Sequence, residues 1–182
     1  MFRAFYPDRY TVSAYVIDFE ELYKKGYRGL IFDIDNTLVP HGAPADDRAI
    51  RLFERLKKIG FHCCLISNNK EPRVKMFNEK IQVAYVYNAH KPSKKNYIKA
   101  MEIMGTDRSS TVFIGDQLFT DVWGAKRSGI PSILVKPMNP KEEIQIVLKR
   151  YLERIVLFFY KRSLARKKRL KNDDMYYKMI KD

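Results

Sequence analysis

Cysteine is nearly absent. The 182 residues hold two, Cys63 and Cys64, side by side. Adjacent cysteines rarely pair with each other, and a disulfide framework needs several that are spaced. A disulfide-stapled secreted scaffold is therefore excluded, and no cysteine spacing suits zinc. Long apolar runs are missing too. The longest near the C-terminus covers residues 155–160, whereas a membrane-spanning helix needs about 20 residues. Residues Met1 to Tyr10 carry Arg3, Asp8 and Arg9 and have no apolar stretch, so they do not read as a secretory signal. The expected setting is the reducing cytoplasm, with room for peripheral contact at the inner face of a membrane. Acidic residues are also few: 21 Asp+Glu stand against 35 Lys+Arg, for a formal charge of +14. Such an excess favours an anionic partner, whether nucleic acid, a membrane surface or a phosphorylated substrate.

Apolar material is plentiful. Hydrophobic residues make up 46% and aromatics 13% of the chain, which separates it from disordered chains, where charge is high and hydrophobicity low. The length suits one domain with an appendage. Apolar runs alternate with amphipathic stretches. Leu30–Ile34, Phe61–Ile66, Ala84–Tyr87, Thr111–Ile114 and Ser132–Val135 read as buried strands. Asp46–Ile59, Glu71–Lys80, Ser93–Met104 and Thr120–Ser128 read as helices, with Gly60, Gly105 and Gly129 as stops and Ser93 as an N-cap. Ser13–Lys25 reads as a short helix before the first strand. Strand–helix alternation predicts a three-layer, Rossmann-like α/β fold on a parallel sheet. In such folds ligands bind beyond the carboxyl ends of the strands.

Polar residues gather at those ends: Asp33-Ile34-Asp35-Asn36-Thr37, then Ser67-Asn68-Asn69, then His90-Lys91-Pro92, then Gly115-Asp116 with Thr120-Asp121. Asp33 and Asp35, two apart, can point the same way. Paired carboxylates suit a division between nucleophile and acid/base, and a carboxylate can attack phosphorus. Asp116 would add oxygen ligands for a hard cation such as Mg2+. Lys91 would add fixed positive charge, and Ser67 with nearby N–H groups could hold phosphoryl oxygens.

In this order, Asp33-x-Asp35-x-Thr37, Ser67, Lys91 and Gly115-Asp116-x4-Asp121 resemble the four motifs of the haloacid dehalogenase (HAD) superfamily of phosphohydrolases. The resemblance implies an aspartyl-phosphate mechanism. Asp33 would be the nucleophile and a Mg2+ ligand. Asp35 would be the acid/base and would lend its main-chain carbonyl to the metal. Thr37 and Ser67 would support and bind the phosphoryl group, with Asn68 a candidate contact. Lys91 would neutralise charge, Asp116 would bind Mg2+, and Asp121 would orient Lys91 or metal-bound water. Asp35 to Ser67 spans 32 positions and Ser67 to Lys91 spans 24, which leaves room for crossover helices but not for a lid domain. A capless III-A member with an open site is expected. The opening Phe5-Tyr6-Pro7-Asp8, with Ile17-Asp18, Gly26, Asp33–Val39, Ser67–Asn69, His90–Pro92 and Gly115–Gln117, resembles the YqeG-type III-A phosphatases. These are related to mitochondrial phosphatidylglycerophosphate phosphatases, so the implied reaction is dephosphorylation of that lipid to phosphatidylglycerol. A nucleotide, sugar phosphate or phosphoprotein substrate is the alternative.

The phosphatase domain is expected over residues 1–160, followed by a basic tail over 161–182. Glu142–Tyr160 reads as a long helix with a broad apolar face, and Lys161–Lys171 has seven basic residues and no acid. An apolar face beside lysine and arginine suits an anionic membrane. The other readings are a last helix packed on the sheet, or a nucleic-acid-binding tail. The remaining candidates read as structural: Cys63 and Cys64 as core filler on opposite sheet faces, Asp46 and Asp47 as helix caps, Trp123 as core, and His41, His62 and His90 as loop or strand residues.

Overall fold

The computed structural model describes residues 3–139 and 151–166. Six parallel strands form one sheet: β1 (Arg9–Thr11), β2 (Gly29–Phe32), β3 (His62–Ile66), β4 (Ala84–Val86), β5 (Thr111–Gly115) and β6 (Ser132–Val135). Their spatial order is β1-β6-β5-β2-β3-β4. The crossovers are α2 (Asp47–Ile59), α3 (Glu71–Asn78), α4 (Lys94–Met104) and α5 (Trp123–Ser128), and α1 (Phe19–Lys24) precedes β2. From β2 the chain steps outward to β3 and β4, then returns to the other side of β2 with β5. That reversal makes the end of β2 a topological switch point, where a crevice opens.

Alternation along each strand builds two cores. Leu30, Phe32, Leu65, Val112, Ile114, Ile133 and Val135 face one side and pack with Phe53 and Leu56 of α2 and Phe77 of α3. Ile31, Cys64, Ile66 and Phe113 face the other side and pack with Tyr97 and Met101 of α4 and Ala125 of α5. Cys63 packs on the first core and Cys64 in the second, the opposite-face placement expected from the sequence. Burial pushes both thiols up to about 12, which leaves them unreactive at neutral pH.

Helix ends follow local chemistry. Asp46 caps α2 by accepting from the Ala49 N–H at 2.8 Å. Gly60 ends that helix with φ of 104°, a left-handed conformation that glycine adopts without a Cβ penalty. Ser93 sits at the N-cap of α4 but makes no side-chain cap bond.

Three elements differ from the sequence reading. Ser13–Lys25 is not one helix: a 3-10 turn at Ala14–Val16 is followed by α1, which Asp18 caps by accepting from the Glu21 N–H at 2.8 Å. Ahead of it lies β1, an edge strand with no apolar alternation, held by Asp8, whose carboxylate accepts from the Ser132 N–H and hydroxyl. The stretch read as one helix over Thr120–Ser128 opens instead with a π turn at Leu118–Val122, marked by the Val122 N–H donating to the Gln117 carbonyl at 3.1 Å.

Residues 151–166 are helical (α6) and run without a break past Tyr160. Of the helix expected over Glu142–Tyr160, positions 142–150 lie outside the described residues. So does the tail beyond 166. The apolar residues of α6 do not all pack inward. Val156 and Tyr160 are buried, whereas Tyr151, Leu152, Ile155 and Phe159 are exposed. Val156 meets Leu118, Val122 and Leu134, with Phe5 and Tyr6 packed alongside. No described element is long and apolar enough to cross a membrane.

Candidate active site

The strand ends converge on Asp33. It continues the parallel ladder past β2, its N–H donating to the Ile114 carbonyl at 2.9 Å. This places its carboxylate over the switch point, next to the end of β5. Lys91 Nζ donates to Asp33 Oδ1 at 2.5 Å and to Asp121 Oδ1 at 2.7 Å. Thr37 Oγ1 lies 3.2 Å from Asp33 Oδ2 and 3.3 Å from Asp116 Oδ1. A hydroxyl carries one proton, so it serves one of these oxygens at a time. The loops around the site are tightly turned. Asn36 and His90 adopt positive φ, at 63° and 48°, a conformation costly for residues other than glycine.

Asp121 is the organiser. Its Oδ2 accepts from the backbone N–H groups of Asp116 and Gln117 at 3.1 and 3.0 Å, while Oδ1 holds Lys91. The π turn widens the helix by one residue and brings this carboxylate back over the end of β5. Gly115 permits the approach, because a Cβ there would stand 2.5 Å from Asp121 Oδ2. Tyr97, buried on α4, pins the same turn by donating to the Thr120 carbonyl at 3.0 Å.

Carboxylate oxygens of Asp33, Asp116 and Asp121 lie within 4.8 Å of one another, and all three residues are buried. With Lys91 they leave a formal surplus of two negative charges. Burial, reinforced by repulsion from Asp121 and only partly offset by Lys91, raises Asp33 to about 6. Burial works against the Lys91 ammonium, but the Asp121 and Asp33 carboxylates outweigh it and hold the lysine charged far above neutral pH. Clustered hard oxygens with that surplus suit a divalent cation such as Mg2+, so the residues present fit the metal.

Asp35 faces a different neighbourhood. Its Oδ1 accepts from the Gly42 N–H at 2.7 Å and from Arg73 Nη2 at 2.9 Å, and its Oδ2 accepts from Asn69 Nδ2 at 2.7 Å. His41 Nδ1 lies 3.8 Å from Oδ1 on the exposed rim. Ser67, buried at the end of β3, accepts from the Asn69 N–H at 3.1 Å. Asn68, the candidate substrate contact beside Ser67, also bonds to the Lys91 backbone. Its Oδ1 accepts from the Lys91 N–H at 2.7 Å and its Nδ2 reaches the Lys91 carbonyl at 3.4 Å. Asn68 thereby splints the backbone that presents the lysine.

Arg73 belongs to none of the sequence motifs. It lies in the first turn of α3, where one more basic residue carries no motif signal. Its Nε and Nη1 are buried without a hydrogen-bond partner among the described residues. The one available hint was its place just downstream of Ser67. A surface depression of about 460 Å3, lined by residues such as Met101, Thr106 and Arg108, lies away from all of these residues.

The HAD-hydrolase-like family model matches residues 88–138, which hold Lys91, Asp116 and Asp121. The chain is 38% identical over 160 residues to the probable phosphatase YqeG of Bacillus subtilis, a match covering 87% of this chain and 93% of that protein. It is 29% identical over 160 residues to phosphatidylglycerophosphate phosphatase 1, chloroplastic/mitochondrial, of Arabidopsis thaliana, covering 82% of this chain and 45% of the plant protein. Among solved structures, a HAD-superfamily hydrolase from Ehrlichia chaffeensis superposes with a TM-score of 0.52 at 14% identity, covering 72% of this chain and 98% of that one. The chain thus belongs to the YqeG-type phosphatases of the HAD superfamily.

Proposed function

We propose that this phosphatase is Mg2+-dependent, works through an aspartyl-phosphate on Asp33, and acts on phosphatidylglycerophosphate. The observation that carries the mechanism is the buried cluster of Asp33, Asp116 and Asp121 around Lys91. Asp33 attacks phosphorus, the bond to the leaving oxygen breaks, and Asp35 supplies that oxygen with a proton. A water then attacks the phosphorus of the aspartyl-phosphate and gives its proton to Asp35, and the bond from phosphorus to Asp33 breaks, which frees phosphate and restores the Asp33 carboxylate. Asp33, Asp116 and the main-chain carbonyl of Asp35 would hold Mg2+, whose charge lets the anionic nucleophile and the anionic phosphate approach.

The chain's own groups account for the rest. Lys91 has three N–H donors, and two are used on Asp33 and Asp121. The third remains for a phosphoryl oxygen. Asp35 has about four acceptor sites; two on Oδ1 and one on Oδ2 are filled. The proton it hands over therefore rides on Oδ2. Thr37 and Ser67 border the phosphoryl position.

Two facts support a lipid substrate. The plant relative is a phosphatidylglycerophosphate phosphatase, and it matches over most of this chain. Neither crossover after β2 nor that after β3 carries an inserted element, which leaves the strand ends open to a phosphate on a bulky carrier. The test is phosphate release with Mg2+ across phosphatidylglycerophosphate, nucleotides, sugar phosphates and phosphopeptides. Release from the lipid, abolished by Asp33→Asn, is the expected result. Strong turnover of a soluble compound with none of the lipid overturns the substrate and leaves the mechanism standing. Full activity in Asp33→Asn overturns the mechanism.

A further inference from the structure

Helix α6 is apolar on two opposite faces, and among the described residues only one of them packs into the fold. Its inner face carries Glu153, Val156 and Tyr160, at 5%, 2% and 7% exposure. Helical periodicity puts Tyr151, Ile155 and Phe158 on the opposite side, flanked by Leu152. Their exposures are 64%, 42% and 61%, with Leu152 at 49%. Phe158 stacks edge to face with Phe159 at 5.5 Å between ring centroids, which widens the stripe. Singly exposed apolar residues are ordinary, but a contiguous row of them marks an interaction surface.

The exposed charges on the described residues of α6 have one sign. Arg154, Lys161, Arg162 and Arg166 are exposed on α6, and the acid in the helix, Glu153, is buried. Arg162 and Arg166 continue the line of Tyr151, Ile155 and Phe158 along the helix. An apolar row running into cations, with no exposed acid among the described residues of the helix, is complementary to an interface of acyl chains beneath anionic head groups. It is poorly matched to nucleic acid, whose backbone offers phosphates but little apolar surface. A second copy of the chain would bring the same strongly positive charge against it.

We propose that the outward stripe of α6, Tyr151, Leu152, Ile155 and Phe158 with Arg162 and Arg166, docks the protein on the surface of an anionic lipid bilayer. This deepens the lipid-phosphate reading by naming where such a substrate would be met. Its test reads binding alone, so its failure and that of the substrate assignment are separate results. The stripe is also mechanically tied to the site. Glu153 Oε1 accepts from the Leu118 N–H at 2.7 Å, at the head of the π turn that carries Asp121. The inner face of α6 is thus anchored to the β5 end of the active site.

The experiment is co-sedimentation of the full chain with phosphatidylcholine vesicles, with and without phosphatidylglycerol. Binding is expected only to the anionic vesicles. Ile155→Asn with Phe158→Ser, and separately Arg162→Glu with Arg166→Glu, should each weaken partitioning about tenfold or more. Both variants should hydrolyse p-nitrophenyl phosphate at the parent rate, which establishes that they fold. Equal binding to both vesicle types, unchanged binding in the apolar variant, or no binding by the parent chain overturns the proposal. So does a parent chain that is dimeric and becomes monomeric in the apolar variant, or one that binds RNA in place of lipid.

Discussion

Replacing Arg73 with leucine separates placing a proton donor from binding a phosphate. Arg73 donates one hydrogen bond to Asp35 at 2.9 Å, and the two side chains are 14% and 12% exposed. A hydrogen bond to a charged group contributes about 1.5–3 kcal/mol. Asp35 keeps Gly42 and Asn69 as partners, so it is loosened and not set adrift. The lower end of the range, about 1.5–2 kcal/mol, therefore applies, which at about 1.36 kcal/mol per decade is a loss of about 10–30-fold. The assay compares kcat/KM, which reports steps up to formation of the phospho-enzyme, on two substrates. A glycerol phosphate needs a proton on its leaving oxygen, whereas p-nitrophenolate leaves without one. The full loss should fall on the first substrate, with a change of about threefold or less on the second. Arg73→Lys should restore part of it, since lysine returns the charge without the planar fork. Equal losses on both substrates would refute the assignment and make Arg73 a phosphate contact or a fold support.

Three further expectations follow from the geometry. Asp33, raised to about 6 by burial, contributes stability that is fully present below its ordinary value of 3.8 and lost as the pH rises through about 6. Without metal, the urea midpoint should fall between pH 5 and pH 7 in the parent chain, less in Asp33→Asn, and Mg2+ should restore it more at pH 7; identical pH profiles for parent and variant would contradict this. Gly115→Ala would drive a methyl into Asp121, so activity should drop and stability should fall by an overpacking cost of about 1–3 kcal/mol, read as a lower melting temperature; an unaffected enzyme would remove Asp121 from the role given to it. Cys63 and Cys64, with thiols pushed up to about 12, should resist Ellman's reagent at neutral pH until the chain is unfolded, and rapid labelling of the native protein would count against their burial.

The strands and the groups at their ends were legible because a buried parallel strand must be a short apolar run, and chemistry must follow it. The two sheet faces of Cys63 and Cys64 were legible for the same geometric reason. What stayed hidden depends on distant partners. The strand β1 has no apolar alternation, because it is an edge strand whose place is set by Asp8 and β6. The π turn arises from Asp121 reaching back to two N–H groups, which no local pattern encodes. Arg73 sits in a chain rich in cations, so its ion pair with Asp35 had no distinctive spacing. The apolar face of α6 was visible, but hydrophobicity on both sides of a helix cannot say which side the fold will use. That Asn68 supports the Lys91 backbone was hidden as well, because the two are 23 residues apart and meet only when their strand-end loops do.

The pairing of β1 with β6 has a consequence for how the molecule is made. Arg9 stands opposite Ile133 and Asp8 bonds to Ser132, a separation of 124 residues. Among the described strands, the one that comes earliest in the sequence must thus wait for the one that comes latest. The neighbours β2, β3 and β4 can assemble in order as they emerge, but the N-terminal segment has no edge to join until β6 is complete. Closure of that edge is a late, long-range event of the kind that slows folding. It also fastens Arg9–Thr11 beside Ile133–Val135, so one sheet edge is sealed by two segments far apart in sequence while the catalytic loops follow strands nearer one another.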